Sequence, residues 1–166
     1  MNGTDESHRG SMDAMKKGKI LVLGVGNLLM GDEGVGVHAV RRLEAETLGP
    51  EVTIVDGGTG GFHLLSYLQE YKTVIMIDAC MDGRPPGTLT TIEPRFATDF
   101  PKTLSAHDIG LRDLIEAAAL VGSLPEIRLI TVSIDTLQQM CLQLSPPVES
   151  SLPHIVTRVK NLISVA

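Results

Sequence analysis

From Lys19 onward, short unbroken apolar runs alternate with stretches whose apolar residues recur at helical spacing. Ile20-Leu21-Val22-Leu23 reads as a strand buried on both faces, because a half-buried strand would alternate apolar with polar residues. Gly24 and Gly26 stop it, and Val37, Val40 and Leu48 carry a helical pattern behind them. Val52 to Val55 reads as a second strand, closed by Asp56 and the turn Gly57-Gly58-Thr59-Gly60-Gly61. Leu64, Leu65 and Leu68 mark a short helix, and Thr73 to Ile77 a third strand that ends at Asp78. Thr88 to Ile92, Thr-rich and flanked by prolines, suits an edge strand, where a missing N–H does least harm. Leu111, Leu114, Ile115 and Ala118 fall at helical spacing, and Arg128 to Ile134 is a further buried strand. Leu152, Ile155, Val156, Val159, Leu162 and Ile163 form one apolar stripe on the last helix.

Strands alternating with helices in this order predict an α/β fold, a mainly parallel twisted sheet with helices on both faces. Neither a repeat nor a linker divides it, so residues 18–166 are read as one domain. Residues 1–17 carry no periodicity, and Gly10-Ser11 ahead of Met12 resembles a cloning scar. They are set apart as a leader or expression remnant. Parallel sheets bind ligands beyond the carboxyl ends of their strands, where the strand order reverses. The residues that follow each strand are therefore the ones to weigh.

Net charge changes the list of partners. At −6 the chain would be repelled by nucleic acid phosphates and by anionic membranes, and no basic run offers a local exception. Neither a signal peptide nor an apolar run of about 18 residues is present, which points to the cytoplasm. Cys80 and Cys141 are too few for a disulfide framework, and both have apolar neighbours.

Several chemistries fail at the strand ends. The loop Gly24-Val25-Gly26-Asn27-Leu28-Leu29 lacks the third glycine of a dinucleotide fingerprint, since Leu29 occupies its place. Asp56 would still suit a ribose-binding acid, so that reading stays open as the weaker one. A phosphate loop would need Lys with Ser or Thr after Gly31, where Asp32 and Glu33 stand instead. There is no Gly-x-Ser-x-Gly elbow, and a Cys80–His107 dyad competes with Cys80 as a packed thiol. What remains is an acidic and histidine set: Glu33 at a helix start, Asp78 after a wholly apolar strand, and His107 ahead of a helix. Each has an ordinary explanation. Acids at a helix start offset its dipole, an aspartate can cap a turn, and a lone histidine can neighbour an N-cap. Together they suit a borderline divalent ion such as nickel, zinc or manganese, with coordination positions left open.

The segments Ile20-Leu21-Val22-Leu23-Gly24-Val25-Gly26-Asn27 and Leu29-Met30-Gly31-Asp32-Glu33-Gly34-Val35-Gly36 strongly resemble the opening of the hydrogenase maturation endopeptidases. So do Val55-Asp56-Gly57-Gly58-Thr59, Ile77-Asp78-Ala79 and Ser105-Ala106-His107-Asp108-Ile109-Gly110-Leu111, and the resemblance runs from about Lys19 to the last helix. It implies a three-layer α/β/α sandwich and a peptidase domain over residues 18–166. The implied activity is removal of a C-terminal extension from the large-subunit precursor of a nickel–iron hydrogenase after nickel insertion. Glu33, Asp78 and His107 fall on the family's metal positions, and Asp56 on a further functional aspartate, taken here as catalytic. Nickel is then expected to arrive with the precursor, and zinc or cadmium to substitute for it in vitro. A non-catalytic nickel-binding chaperone is the alternative from a different class, followed by a dinucleotide-binding oxidoreductase.

Overall fold

The structure is a computed structural model that describes residues 19–102 and 111–166. Five strands form its sheet in the order β2-β1-β3-β5-β4. They are β1 (Ile20–Gly24), β2 (Val52–Asp56), β3 (Thr73–Cys80), β4 (Leu89–Ile92) and β5 (Glu126–Ser133). β1 pairs in parallel with β2 and β3, β3 pairs in parallel with β5, and β4 runs antiparallel along β5. The helices are α1 (Val35–Leu43), α2 (Leu65–Glu70), α3 (Leu111–Val121) and α4 (Pro146–Ser164).

Side-chain alternation along the strands divides the core in two. Ile20, Val22, Ile75 and Ile77 pack with Val35, Ala39 and Val40 of α1 and with Val148, Leu152 and Ile155 of α4. Leu21, Leu23, Val74 and Met76 point the other way, toward Leu64 and Leu68 and toward Leu111, Leu114 and Ile115 of α3. Helices thus cover both faces, and the expected three-layer α/β/α arrangement is borne out. Arg128 fastens α4 to the sheet by donating from Nη1 to the Leu162 carbonyl at 2.8 Å. No helix among the described residues is long and apolar enough to cross a membrane.

Element boundaries differ from the sequence pattern in several places: β5 runs Glu126–Ser133 rather than Arg128–Ile134, β4 starts at Leu89 rather than Thr88, and two further shifts have plain causes. α1 stops at Leu43, and Leu48 packs on the same core from the following loop, so its burial mimics a further helical turn. β3 continues past Asp78 to Cys80, because β5 pairs with it all the way to Cys80–Ser133. Asp78 is therefore a residue within a strand.

A close helix–strand approach sets the position of α1. A side-chain carbon added to Gly36 would lie 2.3 Å from the carbonyl oxygens of both Ile77 and Val25, and one added to Gly24 would lie 2.1 Å from the Gly36 carbonyl oxygen. Only hydrogen at these positions lets the start of α1 sit against the ends of β1 and β3.

Candidate functional site

β1 stands between β2 and β3, so the chain moves outward to β2 and then crosses back to β3. The order reverses between β1 and β3, the place where open α/β sheets bind ligands. Glu33 and Asp78 flank it. Glu33 lies on the 3-10 turn Gly31–Gly34 that leads into α1, and that turn packs against β3. Its side chain is buried, and its Oε2 accepts the Asn27 N–H at 2.7 Å. The loop is bent to make this contact, with Asn27 Oδ1 accepting the Leu29 N–H at 2.9 Å. Asp78, in β3 opposite Thr131, is wholly buried, and its Oδ1 accepts the Ala79 N–H at 2.8 Å. Burying carboxylates is costly without compensation, and each of these two is given a main-chain N–H donor.

His107, the third expected ligand, lies outside the described residues. Among the described residues, no three His, Cys, Asp or Glu side chains are gathered closely enough to hold a metal.

Asp56 is placed elsewhere. In register it lies beside Gly24, which lies beside Ile77. Ile77 faces α1 and α4, so Asp56 continues that face, whereas Asp78 points to the opposite one. β2 and β3 are two strand spacings apart, about 10 Å. The Asp56 carboxylate is exposed, ion-paired at 3.2 Å with Arg41 on α1, and its Oδ1 accepts the Gly58 N–H at 2.9 Å. The strand-end rule thus picks out Glu33 on a turn packed against β3 and Asp78 within β3, while Asp56 stands apart, exposed, on the other face of the sheet.

The tandem acids Asp32 and Glu33 have separate tasks. Asp32 is buried too, but its oxygens are taken by the far end of the chain. Oδ1 accepts the Ser145 N–H at 2.6 Å, and Oδ2 accepts the Ser145 hydroxyl at 2.7 Å and the Gln138 amide at 3.3 Å. Ser145 stands at the N-cap position of α4 with its hydroxyl turned to Asp32, so Asp32 ties the Glu33 loop to that helix. Gly31 N–H also donates to the Cys141 carbonyl at 2.8 Å, and Cys141 N–H to the Leu29 carbonyl at 3.1 Å. Replacing Asp32 with alanine is expected to cost roughly 2–4 kcal/mol of folding stability, since it strands several donors bonded to one charged acceptor. Urea unfolding checks this, and an unchanged midpoint with lost activity would make Asp32 a site residue instead.

Sequence reasoning missed Asp32, Gln138, Ser145 and Arg41 as supports, and only the adjacency of the two acids hinted at a division of labour. Cys80 is buried in β3, as a packed thiol would be, and Cys141 is half-buried. Beyond β3, burial alone would raise the Asp82 carboxyl, but the Arg84 N–H at 3.1 Å and the Arg84 charge outweigh it and hold the group below its ordinary value.

A family model described as hydrogenase maturation protease matches residues 37–162. The hydrogenase expression/formation protein HupD of Rhodobacter capsulatus is 42% identical over 117 residues, covering 69% of this chain and 56% of that protein. The hydrogenase 2 maturation protease of Escherichia coli is 34% identical over 145 residues, covering 85% of this chain and 88% of that protein. Among solved structures, the hydrogenase maturating endopeptidase HybD of E. coli aligns with a TM-score of 0.76 at 34% identity, over 85% of this chain and 89% of that one.

Proposed function

Because the chain belongs to the hydrogenase maturation protease family, we propose that it is an endopeptidase acting on a nickel–iron hydrogenase large-subunit precursor. It removes the C-terminal extension once nickel has been inserted. The observation that carries this reading is the pair of buried carboxylates, Glu33 and Asp78, on either side of the β1–β3 reversal. With the imidazole of His107 they make an oxygen, oxygen and nitrogen donor set without thiolate. Such a set suits a borderline divalent ion and leaves room for donors that the precursor brings with its nickel. Nickel is then part of the substrate and reports that the precursor is ready.

Asp56 is the residue proposed to act on the peptide bond. Arg41 and the Gly58 N–H fix its exposed carboxylate. It takes a proton from the attacking water and returns it to the departing amine as the C–N bond is exchanged for C–O. The surroundings suit a protein partner. Leu29, Met140 and Leu142 are exposed apolar side chains flanking the contact between the Leu29 and Cys141 segments, a feature of surfaces that meet other proteins.

The test is intact-mass spectrometry of a nickel-loaded large-subunit precursor from the same genome, incubated with this chain. Loss of a C-terminal peptide is expected with nickel and none from nickel-free precursor. Equal shortening of both would remove nickel from the recognition step. A nickel-dependent complex without shortening would favour the chaperone.

A further inference from the structure

The two edges of the sheet are treated differently. At β4, Arg84 donates to the Thr90 hydroxyl at 2.6 Å and Arg158 to the Thr91 hydroxyl at 2.7 Å, and Pro94 follows two residues after the strand. Cations and proline of this kind blunt an edge against unwanted pairing. β2 is guarded only at its ends, by Pro50 and Glu51 before it and by Asp56, paired with Arg41, at its close. Val52, Thr53, Ile54 and Val55 include neither a charge nor a proline, and Val52, Ile54 and Val55 are half-buried apolar residues.

The register shows which main-chain groups the β2 edge presents. Ile20 N–H donates to the Glu51 carbonyl at 3.0 Å, and Gly57 N–H to the Gly24 carbonyl at 2.8 Å. Residues 51, 53, 55 and 57 therefore turn their main-chain groups toward β1, and 52, 54 and 56 turn theirs outward. Val52 N–H is taken by the Gly49 carbonyl at 3.3 Å. The N–H groups of Ile54 and Asp56 and the carbonyls of Val52, Ile54 and Asp56 meet no main-chain partner among the described residues.

The edge runs directly into the glycine turn. A side-chain carbon on Gly58 would meet nothing within 4 Å, and one on Gly60 only Val25 Cγ1 at 3.9 Å. Both have positive φ, 51° and 78°, so glycine shapes the turn while the space beside it stays open. Gly36, packed against two carbonyls, is the opposite case.

We propose that the outer edge of β2 receives the precursor's C-terminal segment as an added β-strand, laying its scissile bond beside Asp56. The inference rests on the proposed function and adds how the substrate is held. Strand addition supplies affinity from main-chain bonds whatever the side chains, and stretches the peptide for attack. Five residues of β2 offer about 16 Å of edge, and the last is Asp56 itself. The open glycine turn lets the peptide continue beyond it.

The test is residue-resolved amide hydrogen exchange on the full chain with a nickel-loaded precursor, using Asp56→Asn to keep the precursor uncut. Exchange at residues 54 and 56 is expected to slow tenfold or more, while Thr53 and Val55, already bonded to β1, change little. In steady-state shortening by the otherwise native chain, Ile54→Pro deletes an outward donor and should raise KM tenfold or more. Thr53→Val, at an exposed position whose main chain already faces β1, should leave it within about twofold. If the proline variant fails to fold, the exchange measurement decides alone. Shortening by the native chain without protection at 54 and 56 overturns this inference and leaves the proposed function standing. Protection already present before the precursor is added, by residues 1–18 or a second copy, overturns it as well. No shortening by the native chain overturns both.

Discussion

Asp56→Asn is expected to slow precursor shortening by about 10²-fold or more, the usual contribution of a positioned acid–base group, with nickel-dependent association retained. The substitution is isosteric. Its amide oxygen can still accept the Gly58 N–H, which holds the turn after β2 at 2.9 Å. What disappears is the carboxylate that pairs with Arg41. An ion pair this exposed contributes at most about 1 kcal/mol, so the variant should fold and unfold almost as the parent does. Asp56 also lies on the face of the sheet opposite Asp78, so the surroundings of Glu33 and Asp78 are left intact. Rate by intact mass and binding by pull-down with nickel-loaded precursor are the two readouts. Full activity would strike Asp56 from the mechanism, and loss of binding along with cutting would make it a recognition residue.

The second large effect concerns stability. Alanine in place of glycine inside a helix ordinarily gains about 1 kcal/mol. At Gly36 the sign should reverse. The added methyl would sit 2.3 Å from two main-chain carbonyl oxygens, Ile77 on β3 and Val25 after β1, and neither can rotate away. Relief requires α1 to lift from the sheet, and overpacking of this kind costs about 3 kcal/mol or more. The turn carrying Glu33 runs straight into α1, so it would be dragged from β3 in any fraction that still folds. Urea unfolding of Gly36→Ala should show a markedly lower midpoint. A midpoint at or above the parent value would mean that the helix has slack the structure does not display.

Much of this architecture was legible in the residues. The apolar run at Ile20–Leu23 could be little other than a buried parallel strand, and the carboxyl-end rule then pointed at Glu33, Asp56 and Asp78. The rule could not rank them. Which of Asp32 and Glu33 is taken up by the fold depends on Ser145 and Gln138, more than a hundred residues away, and no local spacing encodes such a contact. The separation of Asp56 from Asp78 follows from side-chain parity in a register that only the paired sheet reveals. The length of β3 was hidden for a related reason: Asp78 looks like a strand end by its polarity, yet β5 carries the pairing two residues further. His107 falls outside the described residues, so its place rests on the resemblance alone.

The tie between Asp32 and Ser145 has a consequence for biosynthesis. The loop that carries Glu33 is translated early, but the groups that hold it down belong to residues 138–145. Ribosomes add about 5–20 residues per second, so several seconds separate the synthesis of the loop from that of its anchor. A nascent chain can pair β1 with β2 and β3 while the loop is still unfastened. The loop is fastened only when the start of the last helix emerges, so an interrupted or prematurely terminated polypeptide would be released with the Glu33 turn untethered.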